Sequence, residues 1–170
     1  MGNPPKVRKE LAQKEKDRVF SLLRTEPRDG FLPGQVKRHI RTIIWEDFNY
    51  IKSESQMQTA LDRLQQLEKD ILPRMRLGSN TLRFNYDWVD ALDVYDMLSA
   101  LSLQIEFSLF RKESRGAFYR QDYPNTDNKN WLKHILGHIE DGELKLETQP
   151  VDLPYVEPEE EIASFFDVDY

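Results

Sequence analysis

Asn85–Pro124 reads N-Y-D-W-V-D-A-L-D-V-Y-D-M-L-S-A-L-S-L-Q-I-E-F-S-L-F-R-K-E-S-R-G-A-F-Y-R-Q-D-Y-P. Its apolar residues recur at Trp88, Leu92, Tyr95, Leu98, Leu101, Ile105 and Leu109. Steps of three and four held over several turns predict a helix, not a strand. Val94, Leu103, Phe107 and Phe110 widen the stripe, so the second half of this helix is expected to be buried on more than one face. At 1.5 Å per residue it would run roughly 40 Å, long enough for two further helices to pack along it. Arg111, Lys112 and Arg115 follow, where cations complement the negative end of a helix dipole. Gly116 can take the left-handed conformation that stops a helix, and Pro124 prevents an easy continuation.

Upstream, the chain offers the helices this one needs. Val7, Leu11, Val19, Leu22 and Leu23 share helical spacing among mixed charges, which predicts an amphipathic helix to about Thr25 with Pro27 as its stop. Pro33 opens the next, in which Ile40, Ile43, Ile44 and Phe48 form one stripe. Ser53 with Gln56 three residues later fits a capping box. It begins a third helix that carries Met57, Ala60, Leu61, Leu64, Leu67, Ile71 and Leu72 and ends at Pro73. The expected fold is mainly α: a three-helix antiparallel bundle of the spectrin-repeat kind, with 53–73 and 85–112 as its long antiparallel pair. Leu64 and Leu101 are expected in the facing cores of that pair.

Downstream, Asn125 or Thr126 is expected to cap a short helix through Trp131, Leu132, Ile135 and Leu136, ending near Gly137. That helix would set His134 and His138 four apart, but no third ligand stands at a recognised spacing, so no metal site is assigned. Glu143–Glu147 alternates strictly after Asp141-Gly142 and predicts an edge strand. Residues 1–150 are expected to form one domain and 151–170 an extended acidic tail. Within that tail Ile162, Phe165, Phe166 and Val168 are either a docking segment or a strip folded back on the domain.

The motif after the long helix resembles a known family. The string Glu113-Ser114-Arg115-Gly116, then Arg120-Gln121-Asp122-Tyr123-Pro124, Asp127 and Asn130-Trp131-Leu132-Lys133-His134, is similar to the C-terminal helical domain of the succinate dehydrogenase/fumarate reductase flavoproteins. L-aspartate oxidases and the adenylylsulfate reductase flavoprotein subunit belong to the same family. Leu64-x-x-Leu67-Glu68-Lys69-Asp70 and Phe118-Tyr119-Arg120 are closest to the adenylylsulfate reductase side, while Gly116-Ala117 is closer to fumarate reductase. The fumarate-type pattern has His after Gly-Ala; here Phe118 stands in its place. The resemblance covers about Val7 to Pro150.

It implies a structural and docking domain with no catalytic residue and no cofactor of its own. FAD and the redox chemistry would belong to a flavin domain and a capping domain of the parent subunit, with an iron–sulfur subunit as a further partner. Glu113, Ser114, Arg115, Gly116, Arg120, Asp122, Tyr123 and Trp131 are the motif and docking residues, with Arg115, Arg120 and Asp122 foremost. The isolated chain is expected to be inactive. Arg76-Leu77-Gly78-Ser79-Asn80-Thr81-Leu82 is similar to a substrate-binding R-x-G-[AS]-N-S-L string of the same family. There, however, the string precedes the helical domain, and here it is expected to be a turn between two helices. The alternatives are the corresponding domain of an adenylylsulfate-reductase-like subunit, or a stand-alone helical interaction module whose acidic tail recruits a basic partner.

Composition sets the limits. The 170 residues contain no cysteine, which excludes disulfides, thiolate metal sites and cysteine nucleophiles and fits a cytoplasmic setting. No apolar run approaches the ~20 residues of a membrane span, and no signal-peptide pattern opens the chain. Glu140–Tyr170 holds eleven acidic residues against one lysine, so a net −6 divides into +4 up to residue 139 and −10 from residue 140 onward. That distribution, with no recognition helix, is not the footprint of a nucleic-acid binder. The seven glycines are scattered and form no G-x-G-x-x-G after a strand, so no dinucleotide is held by that device.

Overall fold

A computed structural model describes residues 8–155, 158–159 and 161–162. Val7 at one end, and Phe165, Phe166 and Val168 at the other, lie outside the described residues. The fold is mainly helical with small two-stranded sheets. The helices are α1 (Lys9–Ser21), α2 (Pro33–Asp47), α3 (Glu54–Asp70), α4 (Tyr86–Phe110) and α5 (Asn128–Trp131). The strands are β1 (Ile51–Lys52), β2 (Tyr119–Arg120), β3 (Thr126–Asp127), β4 (Lys133–Glu140), β5 (Glu143–Pro150) and β6 (Glu161–Ile162).

Two compact units divide the chain. One comprises the described residues up to Thr42 with Leu64–Ala100; the other comprises Ile43–Arg63 with the described residues from Leu101 onward. In the first, Val36, Ile40, Leu64, Leu77, Ala91 and Val94 are buried. Its connection between α3 and α4 is pinned by the Arg24 guanidinium, which donates to the carbonyls of Met75 and Leu72 at 2.9 Å each. The Trp88 indole N–H donates to Val19 at 2.9 Å, and the Phe20 ring meets Trp88 edge-on. α1 ends at Ser21, earlier than its apolar spacing predicts, and none of its residues is buried. Leu22, just past its end, is the part of the stripe that reaches the core.

In the second unit the core is Ile43, Phe48, Met57, Ala60, Leu61 and Ile105. Leu101, expected in the core, is half-buried; the α4 residue fully enclosed here is Ile105, one turn on. α3 starts as its sequence predicts, with the Ser53 hydroxyl accepting the Gln56 N–H and donating to the Gln56 side chain at 3.0 Å. β1 and β2 pair in parallel, Ile51 opposite Tyr119 and Lys52 opposite Arg120. That pairing sets the residues before α3 beside the motif that follows α4.

The downstream helix is a correction. α5 is a single turn capped by Asp127, not by Asn125 or Thr126: Asp127 Oδ1 accepts the Asn130 N–H at 2.9 Å. Lys133–Glu140 is a strand that pairs antiparallel with Glu143–Pro150 along its whole length. The expected edge strand therefore lies against its own hairpin partner. Asp141 and Gly142 both have positive φ, 52° and 85°, as the two-residue hairpin turn that best matches strand twist requires. The cross-strand ladder outweighed the helical spacing of four apolar residues. Gly116 also has another role. Its φ is 56°, but α4 has already ended at Phe110, so Gly116 forms the tip of a tight turn in which Arg115 and Phe118 exchange backbone hydrogen bonds.

Candidate functional site

The motif residues gather in the second unit as two connected clusters. The first centres on Glu113, whose side chain is fully enclosed. Its carboxylate accepts from Arg115 Nε and Nη2 at 2.9 Å each, from Arg111, and from the Asp127 backbone N–H at 2.9 Å. Arg111 also donates to the carbonyls of Trp131 and Lys133 at 3.1 Å, and its guanidinium lies over the Trp131 ring, which meets Phe110 edge-on. One buried carboxylate thus ties the end of α4, the motif loop and the start of α5 together, and Arg111 carries the link on to the start of the hairpin.

The second cluster centres on Arg120, 0% exposed. Its Nη1 donates to the carbonyls of Ser108, Leu109 and Arg111 at 3.1, 3.1 and 2.7 Å. Those are carbonyls at and just past the end of α4, left without intrahelical partners. The cation that caps the helix end is therefore Arg120, brought back by the loop; the nearby Arg111, Lys112 and Arg115 do not fill that place. Its other nitrogens pair with Asp122, and Nη2 reaches Glu54 at 3.5 Å. The Tyr123 ring lies 4.7 Å from the guanidinium carbon. Ser114 joins the two clusters: its hydroxyl donates to the Tyr123 carbonyl at 2.7 Å and accepts the Arg120 N–H at 2.8 Å.

Asp122 also accepts the Glu54 backbone N–H at 3.1 Å, one of the free donors in the first turn of α3. Burial raises its pKa, but the Arg120 hydrogen bond, the Glu54 N–H and the Arg120 charge together hold it below the usual aspartate value. Lys52 is the opposite case. It is buried between the rings of Phe48 and Phe118, and its ammonium donates to the Tyr50 carbonyl at 3.0 Å. Burial lowers its pKa. Phe118, in the place where the resemblance leads one to expect His, thus covers a buried lysine.

Seven of the eight expected residues take part in these clusters; Gly116 stands at the turn tip. Sequence reasoning missed Lys52, Glu54 and the capping role of Arg120. Nothing near the motif points to Lys52 or Glu54, because they lie more than sixty residues before Arg120 and Asp122 and arrive through the β1–β2 pairing. A cleft of about 520 Å³ opens beside the clusters, lined among others by Phe107, Arg111, Arg115, Phe118, Lys133 and Ile135. The Phe107 ring lies so close to β4 that a Cβ on Gly137 would come within 2.6 Å of it.

The arrangement holds backbone in place. Among the described residues, no group of three or more His, Asp or Glu could hold a metal ion. His134 and His138 lie on β4, where four residues span about 13 Å, too far to share a metal. The string from Arg76 to Leu82 is an irregular connection held by other parts of the chain: Arg76 N–H donates to the Phe31 carbonyl at 2.9 Å, Leu77 is buried, and Gly78 N–H donates to Asp87 at 2.9 Å. Among the described residues, no helix is long and apolar enough to cross a membrane.

Known proteins are similar to this chain in sequence and in fold. The succinate dehydrogenase flavoprotein subunit of Coxiella burnetii is 32% identical over 112 residues, 66% of this chain and 19% of that subunit. The fumarate reductase flavoprotein subunit of Haemophilus influenzae is 29% identical over 126 residues, 74% of this chain and 21% of that subunit. A chain of the Mycobacterium smegmatis Sdh1 complex in its apo form superposes with a TM-score of 0.77 at 24% identity, over 92% of this chain and 26% of that one. At that identity the likeness is one of fold. The chain thus spans about a fifth to a quarter of the length of these proteins. The family described as Fumarate reductase flavoprotein C-term matches residues 37–162, nearly three quarters of the sequence, and this chain belongs to that family.

Proposed function

We infer that this chain is the structural and docking C-terminal domain of an FAD-dependent oxidoreductase subunit of the fumarate reductase/succinate dehydrogenase type. On this reading residues 1–150 are the domain and 151–170 its acidic extension. Its partners are the flavin-binding and capping parts of the same subunit and, in the assembled enzyme, an iron–sulfur subunit. The observation that carries the reading is how the buried charges are used. Glu113 and Arg120 direct nearly all their hydrogen bonds to the backbone and to ion pairs inside the motif. Groups so fully committed fix a loop and leave no free acid or base for a substrate.

The residues present do not fit FAD. Its pyrophosphate is usually cradled by a glycine-rich strand-to-helix turn, whereas the described glycines stand singly in turns, in the first turn of α2 and in the hairpin strand. The cleft beside Arg115 and Lys133 supplies positive charge over an apolar floor of Phe107 and Ile135, a surface suited to an acidic, partly apolar edge of the flavin-bearing part.

The test is gel filtration of the purified chain, alone and with the FAD-loaded remainder of the subunit. The expected result is a colourless chain that co-elutes one-to-one with its partner. A chain that by itself retains stoichiometric flavin, or that fails to co-elute, overturns the reading.

A further inference from the structure

Phe84 is 90% exposed and has a φ of 54°. In that left-handed region Cβ crowds the backbone of every residue but glycine, and asparagine and aspartate tolerate it better than the rest. The loop carrying Phe84 is firmly held. The Asn85 side-chain amide donates to the carbonyls of Ser79 and Thr81 at 2.9 and 2.8 Å, while its Oδ1 accepts the Trp88 N–H at 3.1 Å and caps α4. At the other end of the loop Asp87 accepts the Gly78 N–H. This frame leaves Leu82, Phe84 and Tyr86 exposed, with Val89 exposed in the first turns of α4. Strained backbone and an exposed phenyl ring both raise the free energy of the lone chain, and no contact among the described residues offsets either. Large apolar side chains on a rigid frame are what buried interface anchors look like before they are buried.

We propose that the loop 79–86 is a docking anchor for the flavin-bearing part of the subunit, with Phe84 seated in an apolar pocket on that part. The proposal rests on the docking reading above and adds the surface and the chemistry of its partner. The occupant follows from length: the relatives carry about three quarters or more of their chains outside the region matched here. Charge refines it. Arg83, between Leu82 and Phe84, is exposed and makes no ion pair among the described residues, so the pocket is apolar with an acidic rim.

The experiment titrates the FAD-loaded remainder of the subunit with the chain by calorimetry, for the native sequence and for Phe84→Asn and Phe84→Ala. Thermal melts and sedimentation of each chain alone are run beside it. Asn keeps the left-handed backbone and removes the ring, so the expected pattern is an unchanged or raised Tm with affinity weakened at least about tenfold. A ring that packs inside the chain would instead lower the Tm, and that result overturns the proposal. So does a dimer of the native chain that Phe84→Asn dissolves, because it assigns the surface to a second copy. If the native chain binds and Phe84→Asn binds equally well, the anchor is wrong while the docking reading stands. If the native chain does not bind at all, both fall.

Discussion

Arg120 and Asp122, two residues apart, face each other in a two-point ion pair: Arg120 Nε donates to Asp122 Oδ1 at 3.0 Å and Nη2 to Oδ2 at 2.5 Å. The guanidinium is sealed from solvent, while the carboxylate keeps one edge toward it. The pair joins the C-terminus of α4, through the carbonyls that Arg120 satisfies, to the N-terminus of α3, through the Glu54 N–H that Asp122 accepts.

Removing Arg120 should therefore cost more than losing one ion pair. Arg120→Met leaves Asp122 without its cation and three carbonyls without a donor. We expect a loss of about 3–5 kcal/mol in urea unfolding, the range for breaking a buried pair from one side. Arg120→Lys keeps the charge but not the planar fork and should recover less than half of that loss. A melt of Arg120→Met that overlays the native one would refute the capping role.

Asp122 predicts an acid transition. Its folded pKa lies below the unfolded value of about 3.9, so its contribution is fully present above that value and is lost as pH falls through the folded pKa. Below about pH 4 the native chain should lose stability faster than Asp122→Asn, which has no carboxylate to titrate. Parallel slopes of Tm against pH for the two proteins would count against the pair.

Lys52 predicts a gain. Burial depresses its pKa, so the folded state holds the proton less well than the unfolded one. Stability should rise with pH from the folded pKa up to the unfolded value near 10.4. Lys52→Met fills similar space between Phe48 and Phe118 without a charge to bury, and should raise the Tm and flatten that alkaline slope. A clear drop in Tm would show that the ammonium contributes more than its desolvation costs.

Leu64→Ala should cost about 2–5 kcal/mol, because Leu64 is enclosed. Half-buried Leu101 should lose clearly less on the same change, and Ile105→Ala should behave like Leu64→Ala. Equal losses at 64 and 101 would contradict the observed burial.

Arg115 is held by Glu113 with a third of its side chain open to solvent. Arg115→Lys should lower stability by less than about 1 kcal/mol while weakening association with the flavin-bearing part. Normal assembly and stability with turnover lost in the reconstituted enzyme would place Arg115 in the active site instead.

The sequence by itself determined the helices α2, α3 and α4 and the family. Apolar spacing from Trp88 to Leu109 needs no tertiary partner to be read, and α4 formed as that spacing predicts; Pro33 and Ser53 likewise mark where α2 and α3 begin. The motif from Glu113 to His134 carried the resemblance to the family, which the match over residues 37–162 bears out. Tertiary structure decided what those side chains do. Arg120 reads as one of several cations after a helix, and only the loop that returns it under α4 makes it the cap. Ile135 and Leu136 read as helix until Glu143–Pro150 lies alongside, since a strand's hydrogen bonds come from a partner that local periodicity does not contain. Lys52 and Glu54 join the site through two residues of parallel pairing, a long-range contact that leaves no mark on the sequence around either end.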